Sequence, residues 1–242
     1  MIKFLRKKKN YVASFSIVKN NLPELISELD LLHISEKYLF SKFDFDKRKH
    51  SYLLGRISAK KAINKLIPDE KANSFFIDSG IFSFPIVKSD KNYNIHISIT
   101  HCDDIGITIA FPEEHPIGID LERIKQSRIE AMKICITQFE LNLLNEYSIS
   151  EKIGCTLIWT IKEALSKVLK TGLSLDLKTL EIKEIQKTNS IYISTFKNLI
   201  QYKAISFQSG DYICTLIIPQ HSEVDLFSFW STFETTINSQ FF

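Results

Sequence analysis

Glycine and proline are scarce, seven and six among 242 residues. That leaves little chain for long flexible linkers and excludes collagen-like and low-complexity readings. The four cysteines, Cys102, Cys135, Cys155 and Cys214, are scattered with no CxxC pair. A disulfide framework or zinc site is therefore not expected, and free thiols in a reducing compartment fit better. No apolar run approaches the roughly eighteen residues of a membrane span. The basic start of the chain is followed by Tyr11–Val18, which alternates and stops at Lys19, so a signal peptide's apolar region is missing too. A cytoplasmic, soluble protein without membrane partners is expected. Nor is there an excess of one charge: 31 Lys and Arg stand against 28 Asp and Glu, a formal +3. That argues against nucleic acid as the main partner and leaves room for a local basic patch that handles a smaller anion. The densest basic run, Arg6-Lys7-Lys8-Lys9, reads first as a solvated N-terminal tail and only second as a binding element.

What is present suits a globular protein: 44% apolar, 24% charged and 12% aromatic side chains, in a chain long enough for one large core or two small ones. Tyr11–Val18 reads as a strand. Asn20 or Asn21 caps a helix with Pro23 in its first turn and Leu25, Ile26, Leu29 and Leu32 at helical spacing. A second helix runs from Asp46 to Ile67 and stops at Pro68, with Lys47 to His50, Arg56, Lys60 and Lys61 on its polar face. Asn94–Thr100 and Ile105–Phe111 read as strands. Pro112-Glu-Glu-His-Pro116 is the strongest break, so a boundary is placed there, with halves 1–112 and 113–242. Beyond it come a strand at Ile117–Glu122 and one or two helices over Arg128–Tyr147 with a break at Thr137. A long helix from a Ser150 cap to Lys170 follows, then strands near 179–185, 191–196, 201–207 and 211–218 and an amphipathic tail. The class is α+β with antiparallel strands, and no fixed-period repeat is visible.

Four groups of residues invite chemistry. On a strand, Asp120 and Glu122 of Gly118-Ile-Asp-Leu-Glu122 share a face. Two ionised carboxylates that close need a cation between them, and oxygen ligands suit Mg²⁺; alone, the pair reads more simply as a solvated strand end. In Trp159-Thr-Ile-Lys-Glu-Ala-Leu-Ser-Lys167, Trp159, Glu163 and Lys167 lie along one helical stripe. Glu163 and Lys167 also suit an ordinary surface ion pair, but the large aromatic marks a covered surface. Thr100 and His101 end a strand with two groups that can bond a phosphate oxygen, although a lone histidine is more often structural. The basic helix face from Arg48 to Lys61 matters only beside the others.

In chain order these pieces, followed by Gly172-Leu-Ser-Leu175, resemble the 4′-phosphopantetheinyl transferases of the surfactin-synthetase-activating type. The resemblance is strongest in Pro116–Arg123 and Trp159–Lys167. It implies two similar α+β halves in one chain, a pseudo-dimer, with the active site in the cleft between them. It also implies Mg²⁺ held by Asp120, Glu122 and Glu163, in a C-terminal half that carries the metal-binding carboxylates. Coenzyme A is then the co-substrate, with Lys167 on its phosphates, Thr100 and His101 as further phosphate contacts, and Arg48 and Arg56 as the best candidates for its 3′-phosphate. Glu163 and Lys167 are the implied catalytic residues, with Glu163 also placed to accept a proton. The implied reaction transfers 4′-phosphopantetheine to the serine of an acyl or peptidyl carrier protein and releases 3′,5′-ADP, by a monomer serving fatty-acid, polyketide or peptide synthesis. One departure is Ser83-Phe84-Pro85 where the family commonly has Gly-Lys-Pro. Two alternatives stand beside this expectation: a metal-dependent phosphohydrolase using the same carboxylates, and a non-catalytic relative that binds carrier protein or coenzyme A.

Overall fold

The computed structural model describes residues 1–239 and leaves aside the side chain of Leu173. Residues 240–242 of the expected tail, and that leucine side chain within Gly172–Leu175, lie outside the described residues. In chain order the elements begin with β1 (Ile2–Arg6), β2 (Lys9–Lys19), α1 (Leu22–Ser27), α2 (Ile34–Phe40), α3 (Asp46–Leu66), β3 (Phe75–Ser79) and β4 (Pro85–Ser89). Then come β5 (His96–Cys102), β6 (Ile105–Phe111), β7 (Gly118–Arg123), α4 (Ile129–Lys133), α5 (Gln138–Glu146) and α6 (Glu151–Leu169). The chain continues through β8 (Ile182–Thr188), β9 (Ile191–Phe196), β10 (Tyr202–Ser209), β11 (Tyr212–Pro219), β12 (Glu223–Val224) and α7 (Phe227–Asn238). The architecture is α+β, and every strand pairing among the described residues is antiparallel.

Two compact units result: Met1–Pro116 together with Glu223–Phe242, and Ile117–Ser222. The cut lies between Pro116 and Ile117, where the sequence suggests 112/113, and the segment from Glu223 groups with the first unit rather than with a second half. β12 pairs with β1, and Phe229 and Phe233 of α7 are fully buried, with Phe229 edge-on to Phe15 of β2. Burying those two aromatics is worth several kcal/mol, which returns the last segment to the first unit.

In the first unit the sheet runs β12-β1-β2-β6-β5. α3 lays Leu53, Leu54, Ile57, Ala62 and Ile63 into the core, as its apolar spacing predicts. α1 is capped by Asn21, whose side chain accepts from Glu24 N–H while Glu24 reaches back; the helix stops at Ser27 rather than Leu32, and a 3₁₀ turn at Leu29–Leu31 carries the chain on. A larger correction concerns Lys60. Expected on a solvated face, it is fully buried, with Nζ 2.8 Å from the buried Glu36 carboxylate and 2.9 Å from the Ala72 carbonyl. Glu36 also accepts from Ile77 N–H at 2.9 Å and caps α2 through His33 N–H. Ser58 meets Thr108 at 2.7 Å, and Lys65 donates to the Phe15 carbonyl at 2.7 Å. The basic N-terminal run is also not a tail: Arg6 and Lys9 face each other across a β1–β2 hairpin.

In the second unit the sheet runs β7-β11-β10-β9-β8. α6 packs its Leu157, Ile158, Ile161, Ala164 and Leu165 stripe into the core and ends at Lys170, which takes the left-handed φ of 57°. Ser150 precedes the helix, but its side chain makes no capping hydrogen bond. α5 is held by a Thr137–Glu140 capping box. Glu140 also pairs with Lys162 at 2.7 Å, both fully buried, and accepts from Ile182 N–H at 2.9 Å. Thr160 meets Thr215 at 2.8 Å.

Candidate active site

The site is built from β7 and the last turns of α6, both in the second unit. Alternation on β7 buries Ile119 and Leu121 and turns Asp120 and Glu122 to the same face, opposite Thr215 and Ile213 of β11. The approach of α6 is close because the strand begins with glycine. A Cβ on Gly118 would sit 2.0 Å from the Ala164 carbonyl oxygen, a distance no packed structure tolerates. Gly118→Ala is therefore expected to push helix and strand apart and cost about 3 kcal/mol, the upper end for overpacking, read as a lowered urea midpoint. An unchanged midpoint would mean the approach is looser than described.

Lys167 crosses from the helix to the strand. Its ammonium donates to the Ile119 carbonyl at 2.8 Å and to Asp120 Oδ1 at 2.8 Å. Two of its three donors are thereby accounted for. Glu122 pairs with Arg128, and Trp159 lies close enough to favour its charged form. Glu163, one turn before Lys167, is half-buried, and its Oε1 is buried with no hydrogen-bond partner. Burial, then the charges of Asp120 and Glu122, push the Glu163 carboxyl above its ordinary range, against the pull of Lys167. Glu122 is raised in the same sense by burial and Asp120, with Arg128, Trp159 and Lys167 opposing.

In this cluster Lys167 pairs with Asp120 and Arg128 with Glu122, while Glu163 Oε1 is left without a donor. A buried carboxylate oxygen with no donor, flanked by two more carboxylates, is chemically fitted to a hard cation with oxygen ligands. Among the described residues, no group of three or more His, Cys, Asp or Glu is placed so that it could hold a metal ion; Asp120 and Glu122 are engaged in those two ion pairs. Arg128 was not singled out from the sequence, since an arginine five residues beyond its strand carries no visible pattern.

The other expected contacts belong to the first unit. Thr100 is buried on β5 opposite Ile107, and His101 is exposed opposite Gly106. Arg48 is exposed, its guanidinium 5.2 Å from the Phe43 ring centroid. Arg56 is drawn inward, with Nε 3.6 Å from Glu36 and its guanidinium 4.9 Å from the Tyr52 ring centroid; the buried carboxylate makes it part of the Glu36–Lys60 cluster. Of the expected residues, Lys167 and Asp120 are in contact, with Glu163 close enough to feel the charges of Asp120, Lys167 and Glu122.

Residues 116–217 match the 4′-phosphopantetheinyl transferase superfamily. That segment contains all four clustered residues and both motifs on which the resemblance rests. The chain is 25% identical over 141 residues to the 4′-phosphopantetheinyl transferase gsp of Aneurinibacillus migulanus; the match covers 58% of this chain and 56% of that relative, so it spans little more than half of each. Among solved structures, a holo-(acyl-carrier-protein) synthase from Bacillus anthracis in complex with CoA (3′,5′-ADP) aligns with a TM-score of 0.36 and 15% identity, over 46% of this chain and 96% of that one. The Thermotoga maritima holo-[acyl-carrier-protein] synthase aligns with a TM-score of 0.35 and 17% identity, over 49% and 72%.

Proposed function

We propose that this protein is a Mg²⁺-dependent 4′-phosphopantetheinyl transferase. It moves the 4′-phosphopantetheine of coenzyme A onto the serine hydroxyl of an acyl or peptidyl carrier protein and releases 3′,5′-ADP. The observation that carries the reading is the donorless buried Glu163 oxygen beside the Asp120–Lys167 pair, inside the segment that matches the superfamily.

Transfer of this kind needs little covalent help from a protein; it needs charge neutralised and groups held in line. Mg²⁺ held by Asp120, Glu122 and Glu163 would supply neutralisation for the pyrophosphate. Lys167 has a third ammonium hydrogen beyond its two protein bonds, and it points that charge at a phosphate oxygen. As the serine oxygen bonds to phosphorus and 3′,5′-ADP leaves, the hydroxyl proton goes to Glu163, directly or through water. His101, Thr100 and Arg48 serve the nucleotide end of coenzyme A, with Arg56 confined to a lesser share by Glu36.

A comparison within the chain supports this reading. Ser58, Lys60, Ala62 and Lys65 on α3 have the spacing of Thr160, Lys162, Ala164 and Lys167 on α6. Each lysine of the pair Lys60 and Lys162 meets a buried capping glutamate, and each of Lys65 and Lys167 meets a strand carbonyl. The units are read as two similar halves on this ground. In that alignment Glu163 stands where the first half has Lys61, and Asp120, one residue after the carbonyl, stands where it has Ser16. The second half thus holds carboxylates at positions where the same framework needs none.

The protein is further read as a cytoplasmic monomer. Intact-mass spectrometry of apo acyl and peptidyl carrier proteins incubated with this protein, coenzyme A and Mg²⁺ tests the proposal. A phosphopantetheine-sized gain, abolished by EDTA, is the expected result. No gain on any carrier overturns it, and nucleotide release without a carrier would mark a phosphohydrolase instead.

A further inference from the structure

The β1–β2 hairpin ends in the two-residue turn Lys7-Lys8. Tight two-residue hairpin turns favour Asn-Gly or similar pairs, because positive φ values match the twist of the strands. Neither lysine has a positive φ, so turn geometry does not account for them. Arg6 lies directly opposite Lys9 in the ladder, and like charges directly opposite destabilise a hairpin. Lys9 is offset by Glu114 at 3.3 Å, in a pair about half exposed on both sides and therefore weak. Arg6, Lys7 and Lys8 form no ion pair among the described residues. The tip carries four cations at a cost to its own stability.

Its surroundings are mixed in character. Ile2 and Phe4 are buried beneath it, with the His115 ring packed 4.3 Å from Phe4 and 5.2 Å from Tyr11. The opposite, solvent-facing side places Lys3 opposite Val12 and Leu5 opposite Asn10, and Leu5 and Val12 are 48% and 41% exposed. A small apolar centre with a polar rim is the anatomy of a protein-binding face, and here the rim is cationic. A polyanionic backbone would not call for the leucine and valine, and a chain of net +3 is not built to coat one.

We propose that this hairpin docks a carboxylate-rich face of the protein that accepts the phosphopantetheine, away from its reacting serine. The inference rests on the transferase reading and adds the chemistry of the partner surface. Four preset cations attract such a face over about 8–10 Å at moderate salt, speeding encounter more than chemistry.

The test is initial transfer rates to an apo carrier protein with Lys7→Glu/Lys8→Glu and Lys7→Gln/Lys8→Gln, at low and high salt. For the reversed-charge variant, KM for the carrier should rise about tenfold at about 50 mM NaCl and about twofold at 0.5 M. The glutamine variant should fall between, and kcat and KM for coenzyme A should stay unchanged in both. A carrier KM equal to that of the unaltered protein in the glutamate variant, or a loss confined to kcat, overturns the inference. So does loss of binding to phosphatidylserine vesicles or duplex DNA while the carrier KM holds. If the unaltered protein modifies no carrier, the transferase reading itself fails and the docking role falls with it. Should the glutamate variant misfold by circular dichroism, the glutamine variant alone decides, with any carrier-KM rise below twofold counting against.

Discussion

Replacing Glu163 by glutamine is expected to cut phosphopantetheine transfer about a thousandfold while leaving the protein folded. The fold should survive because burial and the neighbouring carboxylates outweigh the pull of Lys167 on this charge. Its Oε1 is buried without a donor, and burial together with Asp120 and Glu122 opposes its charge. Removing a charge that the folded state disfavours should leave Tm unchanged or raise it by a few degrees, at about 2–4 °C per kcal/mol for a chain of this size. The activity should fall because a glutamine at this position can neither take the serine proton nor give a full charge to a cation. Loss of one group that stabilises developing charge typically costs two to three orders of magnitude. A second readout is independent of turnover. Mg²⁺ should raise the Tm of the unaltered protein, since a ligand bound only to the folded state stabilises it by mass action, and it should not raise that of Glu163→Gln. Transfer within threefold of the unaltered rate, or an undiminished Mg²⁺ shift, would remove Glu163 from the site.

The cluster around Glu163 was legible because its parts are local. Period two on β7 sets Asp120 beside Glu122, and period 3.6 on α6 aligns Trp159, Glu163 and Lys167; each needs only a few neighbouring residues to read. The long helices were legible for the same reason, α6 being found at Glu151–Leu169 within the expected span. What escaped depends on partners distant in sequence. Lys60 looked solvated because its carboxylate lies 24 positions earlier, at Glu36. β1 went unseen because a lysine pair does not announce a hairpin turn. The return of α7 to the first unit depends on Phe229 meeting Phe15, which no local pattern encodes. The internal correspondence of Ser58–Lys65 with Thr160–Lys167 was present in the letters, but at one helical segment only, with Lys61 and Glu163 opposed in charge. It became visible through the bonds those residues make.

Replacing Lys162 by methionine is expected to lower stability by about 3–5 kcal/mol, the cost of stranding a buried charge. Lys162 and Glu140 are both fully buried, 2.7 Å apart, and the ammonium also reaches the Cys135 carbonyl at 2.8 Å. Burial pulls the Lys162 ammonium below its ordinary pKa, and the Glu140 charge is the main force pushing back. Without the lysine, Glu140 keeps its bonds to Thr137 N–H at 2.8 Å and Ile182 N–H at 2.9 Å but loses its counter-charge. Adding Glu140→Gln should recover part of the loss, because no charge is left uncompensated, although the amide oxygen can accept from only one of the two backbone N–H groups that Glu140 serves. Urea unfolding of the two single variants and the double variant measures this coupling. A double variant no more stable than Lys162→Met would show that the pair acts through packing rather than charge. The buried pair joins the start of α5, the middle of α6 and the first residue of β8, and Glu163 is the next residue along the helix. Its matching pair in the first unit, Glu36 with Lys60 at 2.8 Å, binds no such neighbour, since Lys61 there pairs with Glu28 at 2.5 Å. Lys60→Met should therefore cost similar stability, yet leave the transfer rate of the folded fraction unchanged. Lys162→Met should lower that rate as well, by loosening the helix that aims Glu163 and Lys167.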